Sequence, residues 1–355
     1  MKKKNPIDKF FSLSDTNMLL IITVVVFFAM YIGAIVFEGQ GFLKPQTFFN
    51  ILNANAALII LSCGMSIVMI IASIDISVGG VTALVGMCCA VYLDHPDNPN
   101  AADGTILPAI LIALAIGVAY GIFQGYLVAY LDIQPFIVSL AGMFFARGMT
   151  TIVHTNPFNV ENKMFQALKN TRIYIPYMGS INKKGVYVPA YIEIGVVVAL
   201  IIVAVLFCVL KWTKLGRAFY AVGGNRQSAL MLGINVKKTR FIAHLLCGIL
   251  AGVGGFVYFL HVGSGSATNA AGAEMNAIAS SIIGGTMLTG GVGNIVGTLF
   301  GVLSLSTIQN IVSSAGLDQA WWTGITIALM LCLFLVIQSL IMARKKKLLK
   351  DSAEG

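Results

Sequence analysis

The chain has 355 residues, of which 57% are hydrophobic and only 10% charged. A soluble domain carries about 25% charged residues, so this composition excludes a water-soluble fold and points to a polytopic membrane protein. The net charge is +9, but the basic residues cluster at the chain ends and within 211–240. That distribution reads as a set of membrane-orientation signals, with no nucleic-acid partner.

The tail 1–17 opens with MKKKNPIDKFF and precedes an apolar run at 18–37. This run exceeds the roughly 7–15 residues of a cleavable signal core and leads into EGQGFLKPQ, so it reads as an uncleaved first span. At about 20 apolar residues per crossing, further spans are predicted at 49–72, 75–93, 106–131, 135–153, 191–211, 241–262, 275–288, 294–313 and 320–343. The expected fold class is an all-α polytopic membrane protein. It has about ten transmembrane helices, some short or glycine-broken, in a single domain over 18–343.

An even number of crossings puts both ends on one side. Lys2, Lys3, Lys4 and Lys9 match Arg344, Lys345, Lys346, Lys347 and Lys350 of the tail 344–355, which makes that side the cytoplasm. The loop 212–240 then lies inside, with Lys214, Arg217, Arg226, Lys237, Lys238 and Arg240 and no acid between Glu193 and Glu274. Loop 94–105 lies outside, with Asp94, Asp97 and Asp103 and no cation. Loop 154–190 also falls outside, although Lys163, Lys169, Arg172, Lys183 and Lys184 outnumber Glu161 there. It is long enough for a small external cap, and linker and docking surface both remain open.

Several chemistries are absent. There is no Gly-x-x-x-x-Gly-Lys-[Ser/Thr] phosphate loop, and GGVGNIVG at 290–297 lacks the lysine. His95, His154, His244 and His261 are scattered, and no His-Glu-x-x-His occurs. Cys63, Cys88, Cys89, Cys208, Cys247 and Cys332 all fall in apolar runs without a Cys-x-x-Cys pair. No cofactor, metal site or catalytic residue is expected, and an enzyme is the weakest reading.

Four stretches break the apolar pattern. In IASIDISVGGVTALVGM, 71–87, Asp75 stands in a hydrophobic run beside Ser73, Ser77, Gly79 and Gly80. A charge at the bilayer centre costs about 2.5–3.5 kcal/mol on insertion scales. Asp75 therefore either faces a polar path at a helix break or caps a helix starting near Ile76. In 272–303, Glu274 and Asn276 open a short run broken by Gly284, Gly285, Gly290, Gly291 and Gly293. Short, glycine-broken spans in both halves point to a transport site, with tight helix packing as the alternative. Gln124, Arg147, Gln309 and Asn310 lie inside spans, while Phe144, Phe145, Trp321 and Trp322 suit interface anchoring. In GRAFYAVGGNRQSALMLGIN, 216–235, NRQSALMLG reads as a short amphipathic helix with Asn225 as N-cap and Gly233 as stop. Such a helix suits the membrane surface or a groove on another protein.

SIDISVGGVTALVGM, QPFIVSLAGMFFARG, GRAFYAVGGNRQSALMLGIN and EMNAIASSIIGGTMLTGGVGNIVGTLFGVL together resemble the permease subunit of bacterial ABC importers for monosaccharides, the ribose/xylose/galactose type. LAGMFFARG, GGTMLTGGVG and AWWTGI look most like its galactofuranose-type members. The resemblance implies a second permease copy (identical or paralogous), a cytoplasmic ABC ATPase, an external sugar-binding protein and a monosaccharide substrate, in the bacterial cytoplasmic membrane. It assigns ATPase coupling to Gly216, Arg217, Gly223, Gly224, Asn225, Arg226, Leu230 and Gly233. Translocation or gating is expected of Asp75, Ser77, Gly79, Gly80, Glu274, Asn276, Gly284 and Gly285. Two positions depart from the family pattern: Ala72–Ser73 replaces Gly-Gly, and Glu274–Met275–Asn276–Ala277 replaces Glu-Leu-Asp-Ala. Alternatives are an ion-coupled carrier using Asp75, or a same-family permease for an autoinducer or nucleoside.

Overall fold

The computed structural model describes residues 14–38, 40–95, 104–181, 187–317 and 320–354. Lys2, Lys3, Lys4, Lys9, Asp97, Asp103, Lys183 and Lys184 lie outside the described residues. The first part of the chain forms α1 (Asp15–Glu38), a short α2 (Gln40–Leu43), α3 (Pro45–Ile70), α4 (Val78–Leu93), α5 (Ile106–Ala129) and α6 (Pro135–Val153). There follow β1 (Phe158–Asn159), α7 (Lys163–Lys169), β2 (Arg172–Ile181), β3 (Tyr187–Glu193) and α8 (Ile194–Trp212). The remainder is α9 (Lys214–Gly224), α10 (Arg226–Met231), α11 (Val236–Val262), β4 (Ser264–Gly265), α12 (Ala273–Ile283), α13 (Ile295–Ser314) and α14 (Ala320–Glu354).

Eight of these helices are long and apolar enough to cross a membrane, and α4 is a shorter apolar helix of 16 residues. The predicted span 275–288 is a helix of only 11 residues, α12. At 1.5 Å per residue it covers about half of a ~30 Å hydrocarbon core. The helix stops because Gly284 and Gly285 follow, the latter at φ 88, and the chain continues as a loop to Asn294. Local chemistry sets the other boundaries. Pro45 and Pro135 open their helices at N1, Asn235 and Asn294 cap α11 and α13, and Gly263 at φ 80 ends α11.

Helix α3 is the centre of the bundle: 83% of its most apolar window is buried, against 11% in α14. A helix that is apolar on every side belongs inside a bundle when neighbours surround it, and at the lipid when they do not. Hydroxyls fasten α3 to the broken segment, with Ser66 Oγ 2.6 Å from Thr298 Oγ1 and Ser281 Oγ donating to the Ser62 carbonyl at 3.1 Å. Helices α5 and α11 approach through facing glycines. A methyl group on Gly121 would stand 2.9 Å from Leu245 Cα, and one on Gly248 would stand 2.6 Å from Gly121 Cα. Small residues every fourth position permit such contact, which replaces hydrophobic pressure where the solvent is lipid.

Contacts among the loops gather at two ends of the bundle. At one end β1 pairs antiparallel with β4, and β2 with β3 in the predicted external cap. His261 Nδ1 meets Glu193 Oε2 at 2.7 Å there, and Asp94 accepts from the Glu161 amide. At the other end Lys345 pairs with Asp15 at 2.6 Å, and Arg226 and Arg240 both reach Asp132. The start of α1, the basic loop and the far half of α14 thus share one end.

Ala72 adopts φ 57, in the left-handed region. This is where the resemblance leads one to expect glycine, and an L-residue there costs about 1–2 kcal/mol. Ala72→Gly removes that strain against about 0.5–1 kcal/mol of added chain entropy. The variant is expected to melt slightly higher in detergent, and a lower melting temperature refutes the strain.

Candidate functional site

At the C-terminal end of α3 the chain turns back through residues 71–77, and three stretches meet. The Gly291 amide donates to the Ile70 carbonyl at 2.8 Å. Gly223, at the end of α9, packs its α-carbon on that same carbonyl, with no room for a side chain. A methyl on Gly290 would stand 2.8 Å from Ala72 Cβ and 2.8 Å from the Gly223 carbonyl oxygen. The Tyr220 hydroxyl donates to the Gly293 carbonyl at 2.8 Å. Backbone therefore presses on backbone where the glycines of the basic loop, the break after α3 and the glycine loop after α12 cross. Such a contact transmits displacement, because packed interiors yield little.

Asp75 lies in this turn and is 3% exposed. Its Oδ1 accepts from the Ser77 amide at 3.0 Å and the Ser77 hydroxyl at 2.6 Å. The Gln124 carboxamide, oriented with nitrogen toward the carboxylate, donates to Asp75 Oδ1 at 3.1 Å and Oδ2 at 3.3 Å. Next to it Ser73 Oγ sits 3.1 Å from His244 Nε2. A buried carboxylate needs such donors to stay in place. Helix α4 starts at Val78, and Asp75 satisfies the amide of the residue before it.

The other end of α4's first turn meets α12. Gly79 leaves space for the Glu274 carboxylate, which lies against its α-carbon; among the described residues Glu274 Oε2 is buried without a hydrogen-bond partner. Thus the Asp75 stretch and the Glu274 stretch, separate in sequence, touch. Gly80 packs on the backbone of Met143 in α6. Gly284 packs on Gly297 and Thr298 of α13, in the helix–helix contact that the packing alternative describes. Asn276 lines a small cavity of about 180 Å³ between α3, α11 and the start of α12.

The basic loop folds as two helices. Thr213 caps α9, which buries Gly216, Phe219, Val222 and Gly223 against the bundle. Asn225 caps α10 by accepting from the Ser228 amide at 2.8 Å, and Gly233 turns the chain at φ 78. Helix α10 packs Ala229 on Val222 and Val236, while Leu230 is 63%, Met231 81% and Leu232, just after the helix, 78% exposed. Arg217 borders a cleft of about 530 Å³ together with Lys211, Tyr220 and Asn294.

The family model for the branched-chain amino acid transport system / permease component matches residues 47–335, from α3 into α14. The chain belongs to that permease family. Among similar proteins is the inner membrane ABC transporter permease protein YjfF of Escherichia coli K12, 35% identical over 323 residues, 91% of this chain and 92% of that one. The fructose import permease protein FruG of Bifidobacterium longum is 33% identical, covering 81% of both chains. The ribose import permease protein RbsC of Escherichia coli K12 is 33% identical, covering 79% of this chain and 82% of that protein. No solved structure matches the chain. The protein is therefore a multi-pass permease of the cytoplasmic membrane.

Within this permease, Asp75, Ser77, Gly79 and Gly80 are buried and border none of the cavities described here, whereas Asn276 borders one. Gly223 and Gly224, adjacent in sequence, differ: the first is wedged, and the second faces open space. Sequence reasoning did not anticipate that Asp132 pairs with Arg226 and Arg240, nor that Asn55 and Tyr258 line the cavity beside Asn276. The signal for Asp132 was available, since it is the lone acid in the short loop between α5 and α6, on the side of the basic loop. Asn55 and Tyr258 carry no such signal, because each is an ordinary residue until α3 and α11 bring them together.

Proposed function

We propose that this permease is the membrane subunit of an ATP-driven importer of a neutral monosaccharide, paired with a second permease copy and powered by a separate ATPase at its cytoplasmic face. One observation carries the reading. Helix α10 and its C-cap Leu232 present three large apolar side chains that are exposed among the described residues, and the helix before α10 is wedged into the crossing of both broken segments. An apolar ridge exposed at the aqueous end of a membrane protein suits a groove on another protein. Movement of that partner would be felt at Ile70 and Gly291 together. Import permeases for ribose and fructose among the relatives support a sugar as cargo, and the LAGMFFARG and GGTMLTGGVG stretches keep galactofuranose among the candidates. Asp75 is sealed by Ser77 and Gln124, which speaks against its use as an ion-coupling site.

The test places a charge on the ridge. Leu230→Asp buries a carboxylate in any apolar groove, and hot-spot truncations cost about 2 kcal/mol or more, roughly 30-fold. Uptake by proteoliposomes holding the variant with its ATPase and binding protein should fall at least ten-fold, while the variant still inserts and elutes as wild type. Unchanged uptake, or accumulation of sugar by the permease alone under an ion gradient, defeats the reading.

A further inference from the structure

The cavity beside Asn276 has a chemistry of its own. It lies between α3 (Ala54, Asn55, Leu58), α11 (Tyr258) and the stretch opening α12 (Ala271, Asn276). Tyr258 is four residues from the outer end of α11 and Asn276 three from the start of α12, so roughly 5–6 Å from those ends. The cavity is therefore on the side of the external cap. Below Leu61 it is closed, because Ser62 and Ser66 of α3 bond Ser281 and Thr298 across the gap.

The lining offers neutral polar groups and no charge. Asn55 Nδ2 donates to the Ile51 carbonyl at 2.8 Å, which leaves its Oδ1 as an acceptor. The Tyr258 oxygen accepts from the Ala270 amide at 3.1 Å, which leaves its O–H as a donor. Asn276 adds a carboxamide with both functions. Alanines at 54, 57, 270, 271 and 273 keep the walls back, and a volume of about 180 Å³ admits several waters or one sugar ring. The roof is fixed from α6. Arg147 donates to the carbonyls of Ala267, Asn269 and Ala270 at 3.0, 2.6 and 3.0 Å.

We infer that this cavity is an outward-facing subsite for a neutral polyhydroxylated ring, with Asn55, Tyr258 and Asn276 exchanging hydrogen bonds with its hydroxyls. The inference rests on the proposed import function and specifies its cargo. A zwitterionic amino acid needs countercharges that this lining lacks, whereas a sugar needs alternating donors and acceptors. Neutral hydrogen bonds exchange against water at little net gain, so the ring is held weakly and can leave. Arg147 acts as a positioning residue by holding Ala270 beside Tyr258.

The experiment uses the complex of permease, ATPase and binding protein in liposomes, supplied in turn with labelled D-ribose, D-fructose and D-galactose. For whichever sugar the wild type accumulates, Asn276→Leu and Asn55→Leu should lower the maximal rate at least ten-fold. The half-saturating concentration, set by the binding protein, should not move, and Asn276→Gln should restore most of the rate. Ala271 is exposed, so Ala271→Trp fills the cavity without disturbing the bundle and should block uptake as well. ATP-driven uptake that survives Asn276→Leu and Ala271→Trp overturns the subsite and leaves the import function standing. Accumulation of any of these sugars by the permease without its ATPase overturns the function on which the subsite rests.

Discussion

Gly223→Ala is expected to lower ATP-driven uptake more than ten-fold, while Gly224→Ala leaves it near the wild-type rate. A methyl group at Gly223 falls on the Ile70 carbonyl oxygen and stands 2.7 Å from the Gly291 nitrogen that donates to that oxygen. Both neighbours are backbone, so no side chain can swing aside. Overpacking costs about 1–3 kcal/mol, and losing the Gly291 bond adds about 1 kcal/mol. Gly224 has nothing within 4 Å of its missing side chain, and alanine is the better helix former there. Initial uptake rates normalised to the eluted complex measure the pair. Equal rates for the two variants contradict the crossing as the point where the basic loop grips the bundle.

The contrast between two neighbouring glycines shows what the sequence carries and what it does not. The span pattern, the capping by Asn225 and the stop at Gly233 were legible, because each depends on residues within a few positions of one another. The half-length of α12 was legible only in part. Apolar composition runs through 275–288, while the helix ends at Ile283 on the backbone conformation of Gly285. Helix α9 was not anticipated; its apolar residues Phe219 and Val222 are buried only because the bundle comes to meet them. The cavity was the least legible part. Asn276 stood out as an amide in an apolar run, but its companions Asn55 and Tyr258 lie about 220 and 18 positions away in the chain and are joined to it by the packing of α3 and α11. Contact between Gly79 and Glu274 follows the same rule: two breaks were visible, and their meeting was not.

Asp132→Asn is expected to uncouple the permease, leaving ATP hydrolysis by its partner largely intact while sugar moved per ATP falls several-fold. Asp132 lies in the short loop between α5 and α6, at φ 53, a conformation Asp tolerates better than most residues. Its Oδ1 accepts from Arg240 Nη1 at 2.6 Å and from Arg226 Nη2 at 3.1 Å. Arg226 opens α10 and Arg240 lies in the first turns of α11, so one carboxylate ties the exposed ridge to a spanning helix. Asp132 is 62% exposed and Arg226 50%, where an ion pair contributes about 0–1 kcal/mol, but the Arg240 side chain is only 10% exposed. The asparagine oxygen can still accept from Arg240, so the expected loss is more one of position than of folding, with a small fall in melting temperature. The hydrogen bond from Arg240, with Arg226 beside it, holds the Asp132 carboxyl below its ordinary 3.8. A depressed value means that the pairing is complete above the unfolded pKa and is lost only as pH falls through the lower, folded one. This link is thus constant over roughly pH 5 to 9, and Asp132→Asn should reduce coupling equally across that range. Asp132→Glu, which keeps the charge one methylene further out, should recover part of it. Full coupling in Asp132→Asn, or a defect that appears only at one end of the pH range, removes Asp132 from the transmission between α10 and α11.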